Sequence, residues 1–175
     1  MRSCKLIMKY VPVFGIYFLL TASCKPSGDG YEHVAVIDKS RLVSINKYLA
    51  NKDFDIMRHY VKRKSWKMSF SGDGYFYEIL NEGECPKIAD RKQVTFDGSI
   101  SLLDGTRCYD IKNRVFVVGG SEEIHGLHHA VKYLGNGGEA RFIFPSHLAY
   151  GIQGDFNKIP SRAILLYSVH VTDVR

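Results

Sequence analysis

The sequence lacks an apolar run that is long enough to cross a bilayer. Near its start, the run VPVFGIYFLLTA falls far short of the roughly 20 residues that a membrane-spanning helix needs. Residues 1–23 also lack acidic side chains, although they carry Arg2, Lys5 and Lys9. A basic start, a short apolar region and small residues after it are typical of a secretion signal. We therefore expect residues 1–23 to be a signal peptide and not a membrane span.

Cysteine is scarce, with four in the chain. Cys4 lies in the expected signal, and Cys24 ends the sequence Leu-Thr-Ala-Ser-Cys, which resembles the lipobox of bacterial lipoproteins. Lipidation of Cys24 would tether the protein to a bilayer, because each buried methylene contributes about 0.8 kcal/mol. The alternative is a plain signal peptide with an incidental cysteine. Cys85 and Cys108 remain, and although an exported protein permits a disulfide between them, spacing alone cannot establish one; we favour two separate buried thiols.

The chain also lacks a strong charge imbalance once the signal is removed. The net charge of the whole chain is +6, but residues 24–175 hold 21 basic and 18 acidic residues, a balance of +3. Such a small excess does not resemble a nucleic-acid-binding surface, so we expect no nucleic-acid partner. The 45% hydrophobic and 24% charged content is ordinary for a globular protein, and 175 residues suit one domain plus an extension.

Residues 24–70 read as a tether followed by a helical extension. Leu42, Ile45 and Leu49 recur at helical spacing. Asn51 interrupts that pattern, and Asp53 can cap a second helical stretch, so the pattern predicts two short helices. Apolar positions of the second stretch are Phe54, Met57, Tyr60 and Val61. The basic run at 62–64 either contacts anionic lipid or is a solvated helix end, which we favour.

The turn sequence Ser-Gly-Asp-Gly at 71–74 marks the start of a region of short strands, so we place a second domain at residues 71–175. The Asp104-Gly105 pair predicts a hairpin, and the segment from His125 to Leu134 predicts one amphipathic helix. The predicted strands are Phe76–Leu80, Gln93–Ser101, Arg107–Ile111, Val115–Val118, Glu139–Pro145 and Ile164–Val171. About five antiparallel strands wrapped on one short helix make an α+β domain.

Three histidines of the predicted helix invite a metal interpretation. His125, His128 and His129 fall on the face opposite the apolar stripe, and imidazoles one turn apart can bind zinc or nickel. No nearby carboxylate or thiolate completes such a site in the sequence. We therefore expect a solvated helix face and no bound metal.

The C-terminal motifs resemble a known family. Leu148-Ala149-Tyr150-Gly151, then Ile159-Pro160, then the strand at 163–167 follow one another as in FKBP-type peptidyl-prolyl isomerases. Upstream, the sequence at 123–127 resembles the family's Val-Ile-x-Gly-Trp. The resemblance covers roughly residues 71–175 and is loose before Arg114. With its N-terminal extension, the chain is similar to FKBP lipoproteins of Gram-negative bacteria, including those tied to gliding motility.

The resemblance implies catalysis without a nucleophile, a metal or a cofactor. Rotation about an amide has a barrier of about 18–20 kcal/mol because it breaks the C–N resonance, and a site accelerates it by preferring the twisted amide to the planar one. By resemblance, Tyr150 donates its hydroxyl to a substrate carbonyl, the backbone N–H of Ile124 helps to position it, and Asp110 orients polar groups at the pocket edge. The walls would be Phe96, Tyr109, Phe116, Ile124, Leu127, Tyr150, Ile159 and Tyr167. For the apolar members, simple core packing is the alternative.

Three departures from the family pattern bear on activity. Leu127 replaces the usual Trp of the pocket floor, and Tyr167 replaces a Phe. The segment from Asp110 to Phe116 is shorter than usual and puts Arg114 where an aromatic residue would be. Two functions therefore stay open: an isomerase for exported proteins, or a peptide-binding chaperone or scaffold with weak catalysis. The expected partners are proline-containing polypeptides and, through Cys24, a lipid bilayer; we expect a monomer in the cell envelope.

Overall fold

The structure, a computed structural model, describes residues 38–175. The expected signal peptide, Cys24 and most of the expected tether lie outside the described residues. The helices are α1 (Lys39–Lys64) and α2 (His125–Ala130), and a 3-10 turn follows α2 at Val131–Tyr133. The strands are β1 (Ser69–Phe70), β2 (Phe76–Asn81), β3 (Gln93–Leu102), β4 (Arg107–Val117), β5 (Glu139–Phe144) and β6 (Leu165–Val174).

The strands form one antiparallel sheet with the order β1-β2-β5-β6-β3-β4. Alternation of buried and exposed residues, the sequence signal for a strand, is clearest in β6, where every second residue from Leu165 to Val171 is buried. With one short helix on the sheet and a longer helix ahead of it, the predicted α+β class is confirmed.

Both faces of the sheet are covered. On one face, α2 packs Leu127 and Ala130 into the main core. On the other face, Met57 and Tyr60 of α1 pack against Ile143. Because of this second layer, β5 is buried at three consecutive positions, 142–144. Residues 38–175 accordingly form one compact unit, and the expected boundary at residue 70 falls inside it.

The prediction of two short helices in the extension was wrong. Helix α1 runs without a break through Asn51 and Asp53. Asp53 is buried; its carboxylate accepts a hydrogen bond of 2.9 Å from Ser146 Oγ and lies 3.7 Å from Arg162 Nη2. These tertiary contacts compensate for the weak helix propensity of aspartate. The basic run at 62–64 is exposed in the last turn of the helix.

The hairpin between β3 and β4 forms where the sequence predicts it. Gly105 has a φ of +100°, and the backbone N–H of Thr106 donates to the Asp104 side chain over 2.8 Å. Strand β4 continues to Val117 and therefore joins two segments that were predicted as separate strands.

The prediction that all three histidines face solvent was wrong for His128. Its ring is buried, lies edge-on to Phe116 at 5.3 Å between ring centres, and accepts a 3.1 Å hydrogen bond from the backbone N–H of Gly119. Burial lowers the pKa of the His128 imidazole. His125 and His129 are exposed as expected. Among the described residues, no three His, Cys, Asp or Glu side chains are grouped closely enough to hold a metal ion.

The two cysteines of the described part are separate free thiols, as favoured from the sequence. Cys108 is buried as expected, but the expectation of burial was wrong for Cys85, which is exposed. Between residues 38 and 175, no helix combines the length and apolar character needed to cross a bilayer.

Candidate functional site

The apolar residues assigned to the pocket all belong to the main core cluster. Phe96 of β3 and Phe116 of β4 meet edge to face at 5.7 Å between ring centres, and Leu127 of α2 is fully buried. Tyr109 and Tyr150 are half-buried against the same cluster. The remaining members of this cluster among the assigned residues are Ile124, Ile159 and Tyr167.

Two phenols mark the polar edge of this cluster. Tyr150 is half-buried just after a 3-10 turn at Ser146–Leu148, whereas Tyr167 on β6 is completely buried. The hydroxyl of Tyr167 has no hydrogen-bond partner among the described residues. Burial raises the pKa of both phenols, so both stay protonated at neutral pH. A protonated Tyr150 can donate a hydrogen bond to a carbonyl oxygen.

The loop that carries Tyr150 and Ile159 is held together by Asp155. The Asp155 carboxylate accepts hydrogen bonds from the backbone N–H groups of Asn157 at 2.9 Å and Ile159 at 2.7 Å, and from the Tyr109 hydroxyl. Desolvation raises the pKa of the Asp155 carboxyl, but these hydrogen bonds outweigh it and the net shift is downward. The charged carboxylate therefore links the loop to β4.

The same loop is also fixed to α1 through the buried Asp53. Its two contacts reach Ser146 at the start of the loop and Arg162 near the end. The backbone N–H of Arg162 donates to the carbonyl of Gly151 over 3.0 Å, which closes the loop beside Tyr150. A helix outside the motif region thus helps to place the residue expected to contact substrate.

An ion pair lies in the wall opposite this loop. Arg114 Nε contacts Glu123 Oε1, and the Glu123 side chain is only 2% exposed. This buried oxygen accepts no hydrogen bond of ordinary geometry. Burial raises the pKa of the Glu123 carboxyl, while the charge of Arg114 and the backbone N–H of Ile124 act in the opposite direction. The wall of the expected pocket is therefore partly ionic at a position where the family pattern has an aromatic side chain.

Asp110 does not join the site. Its side chain is 68% exposed and pairs with Arg107 on the outer side of the sheet. The cause is a bulge in β4: Tyr109 pairs with Ile100 and Arg107 with Ser101, which leaves Cys108 as an extra residue. Tyr109 then faces the core and Asp110 faces outward. The expected role of Asp110 at the pocket edge is corrected accordingly.

Comparison with known proteins fits this geometry. The model of the FKBP-type peptidyl-prolyl cis-trans isomerase family matches residues 84–172. This range includes the Tyr150 loop, α2 and strands β3 to β5. The chain belongs to this family.

Relatives within the family include bacterial proteins named FkpA and a human isomerase, FKBP10. The FKBP-type isomerase FkpA of Escherichia coli is 30% identical over 123 residues, which cover 66% of this chain and 43% of the relative. FkpA of Buchnera aphidicola is 29% identical over 119 residues, covering 67% of this chain and 48% of the relative. The chain thus spans about half the length of the curated relatives it matches.

The solved structure of FkpA from Escherichia coli shares the fold. Its TM-score is 0.63 at 23% identity, with 78% of this chain and 65% of that chain covered. Similarity of this degree concerns the fold and leaves the function of the site to be argued from its residues.

Sequence reasoning missed three functional candidates in this FKBP-type domain. Asp155 carried one usable signal, since an aspartate two residues before Asn157 is typical of a side-chain-capped turn. Glu123 stood inside the motif at 123–127, but its burial depends on Arg114 of strand β4. Asp53 carried a misleading signal, because an aspartate at that spacing is more often a helix cap than a buried anchor.

Proposed function

We propose that the chain is a peptidyl-prolyl cis-trans isomerase that assists the folding of exported proteins at the cell envelope. The observation that carries the proposal is the position of Tyr150, a protonated phenol at the edge of an otherwise apolar cluster. The apolar surround favours the twisted amide, which has less charge separation than the planar form. The Tyr150 hydroxyl holds the carbonyl on one side of the bond while the prolyl ring rests on the apolar residues.

Tyr150→Phe tests this assignment. The variant loses one hydroxyl and keeps the ring, so the domain stays folded, while isomerisation weakens by the free energy of one hydrogen bond, about 0.5–1.5 kcal/mol. Rates are measured on a proline peptide by a protease-free assay, with circular dichroism as the folding control. A wild-type rate in a folded variant would remove Tyr150 from the mechanism.

A second candidate function is peptide binding with little catalysis. Leu127, fully buried at the expected pocket floor, offers no flat aromatic surface to a prolyl ring, and this favours a chaperone or scaffold. The two functions separate in one comparison. An isomerase accelerates a proline-limited refolding reaction at substoichiometric concentration, whereas a holding chaperone lowers aggregation and needs stoichiometric amounts.

The envelope location rests on the N-terminal sequence. A signal peptide at residues 1–23 that ends at a lipidated Cys24 would leave residues 25–175 tethered to a bilayer outside the cytoplasm. Cys24→Ala should move the protein from the membrane to the soluble fraction, because the acyl attachment point disappears and a balance of +3 cannot hold it alone. Cell fractionation is the measurement, with Cys85→Ala as the matched control that stays in the membrane fraction. Retention of both variants in the membrane would contradict a lipid anchor.

A further inference from the structure

The position of Arg114 in the sheet is unusual for a charged side chain. Arg114 pairs with Phe96 across the β3–β4 ladder, and residues opposite each other in a ladder share one face of the sheet. Phe96 is fully buried and Phe116, two residues after Arg114, is 1% exposed. Arg114 therefore stands on the core-facing side of an edge strand, where it reaches the rim with 45% of its side chain exposed.

Glu123 is the acidic partner of the Arg114 guanidinium, and the contact is made through Nε. Among residues 38–175, no second acidic side chain pairs with Arg114, and its terminal nitrogens Nη1 and Nη2 donate no hydrogen bond to another residue. These two nitrogens present parallel N–H groups that match the two oxygens of a carboxylate. The deeply buried Glu123 carboxylate, in contrast, is shielded from an incoming cation by Arg114 itself.

The ion pair acts on the proposed catalytic end of the cluster. Arg114 stands opposite Phe96 in the ladder and two residues before Phe116, and the charges of both Glu123 and Arg114 influence the pKa of Tyr150 and Tyr167. The other acid near Tyr150 is Asp155, and its carboxylate is already occupied by Tyr109 and two backbone N–H groups. Of the three charged groups among the described residues that act on the pKa of Tyr150, Arg114 is therefore the one cation.

We propose that Arg114 is a specificity-determining residue that binds the carboxylate of an Asp or Glu adjacent to the target proline. This inference rests on the proposed function, since it assigns the substrate class of the same site. Glu123 acts as a positioning residue, because it orients the guanidinium and leaves its paired N–H groups for the substrate. Charge-assisted hydrogen bonds at a partly desolvated arginine are strong enough to alter peptide choice.

The test is a ratio of two substrates measured on one protein. Tetrapeptides with Glu, Gln or Lys immediately before proline, and a second series with the same residues immediately after it, are compared by kcat/KM. The wild type should favour Glu over Gln by about tenfold in one of the two series, and the preference should shrink at high salt. Arg114→Gln should bring the ratio close to one, and Arg114→Glu should shift preference toward Lys. Each ratio compares two peptides on the same variant. A general loss of activity lowers both values of kcat/KM equally and leaves their ratio unchanged.

Arg107→Gln is the matched control, since Arg107 lies on the same strand but pairs with Asp110 on the exposed side; its ratio should equal that of the wild type. Equal rates on Glu and Gln peptides in the wild type, with isomerisation intact, overturn the inference and leave the proposed function standing. If the wild type isomerises none of the peptides, the proposed function has failed, and the same ratio is read from binding affinities by fluorescence anisotropy. Equal affinities then overturn the inference as well.

Discussion

The candidate pocket has two walls that are built differently. The loop wall, residues 146–164, contributes Tyr150 and Ile159 and is tied together by backbone hydrogen bonds to Asp155. The strand wall, residues 107–127, contributes a buried ion pair and Leu127 in place of the aromatic residues expected from the family pattern. The clearest family motif lies in the loop wall, whereas the chemistry particular to this chain lies in the strand wall. Catalytic competence and substrate choice can therefore be probed separately.

The largest expected effect comes from restoring an aromatic residue to the strand wall. Leu127→Trp should destabilise the protein by about 1–3 kcal/mol, the usual range for overpacking, and give no gain in isomerisation. Leu127 is already fully buried, and packing at its neighbour is tight, since a Cβ added at Gly126 would meet the Phe144 ring at 2.5 Å. Thermal melting and isomerase rate are measured together.

Leu127→Met, which conserves volume, is the control and should cost less than about 1.5 kcal/mol. A faster enzyme at an unchanged melting temperature would show that the strand wall has room for an indole. The two walls would then differ in the residues that they contain and not in the space that they leave for a larger side chain.

The second prediction disrupts the loop wall. Asp155→Asn should lower isomerase activity at pH 7, because a neutral amide holds the backbone of Ile159 and the Tyr109 hydroxyl less firmly. Since the folded-state pKa of Asp155 is lowered from 3.8, its stabilising contribution is present above pH 3.8 and is lost as pH falls through the folded-state pKa. Unfolding midpoints are measured over a series of pH values. The loss of stability that comes from protonating Asp155 should be present in the wild type and missing in the variant.

Asp104→Asn is the matched control for Asp155. The pKa of Asp104 is also lowered, by hydrogen bonds from Thr106, but this residue lies in the β3–β4 hairpin turn. Its substitution should alter the acid dependence and leave activity unchanged. If both variants kept full activity, the loop wall would not depend on its aspartate.

The smallest effect is expected at Asp110. Asp110→Ala should change the free energy of unfolding by less than about 0.5 kcal/mol, as at most surface positions, and should leave the rate unchanged. The neighbouring Tyr109→Phe, which removes the hydroxyl bonded to Asp155, should lower the rate. Reversed results for the two variants would mean that the bulge at Cys108 is absent and that the outward face of β4 belongs to the site.

Local pattern predicted much of the fold. The strands containing Phe76, Phe142 and Tyr167, the Asp104-Gly105 turn and the start of α2 at His125 lie where alternation, turn chemistry and helical spacing put them. These signals are local, because each depends on residues a few positions apart. The positions of Phe96 and Phe116 in one cluster followed from the family resemblance.

The errors have non-local causes. The continuity of α1 depends on Asp53 meeting Ser146, which is 93 residues away. The burial of His128 depends on Phe116 and Gly119, and the outward direction of Asp110 depends on one extra residue in β4. Contacts between separate elements decide all three, and a single sequence does not display them.

The packing of α1 has a consequence for modularity. The stretch that matches the family begins at residue 84, but the compact unit of the structure begins at Asp38. A fragment trimmed to the recognised stretch would lose α1 and β2. The hydrogen-bonding edge of β5 would then have no partner strand, and Ile143 would be exposed to solvent. An open edge next to an apolar patch is a template for self-association. Such a fragment should therefore aggregate, and the FKBP-type domain of this chain should need the helix that precedes it when it is transplanted.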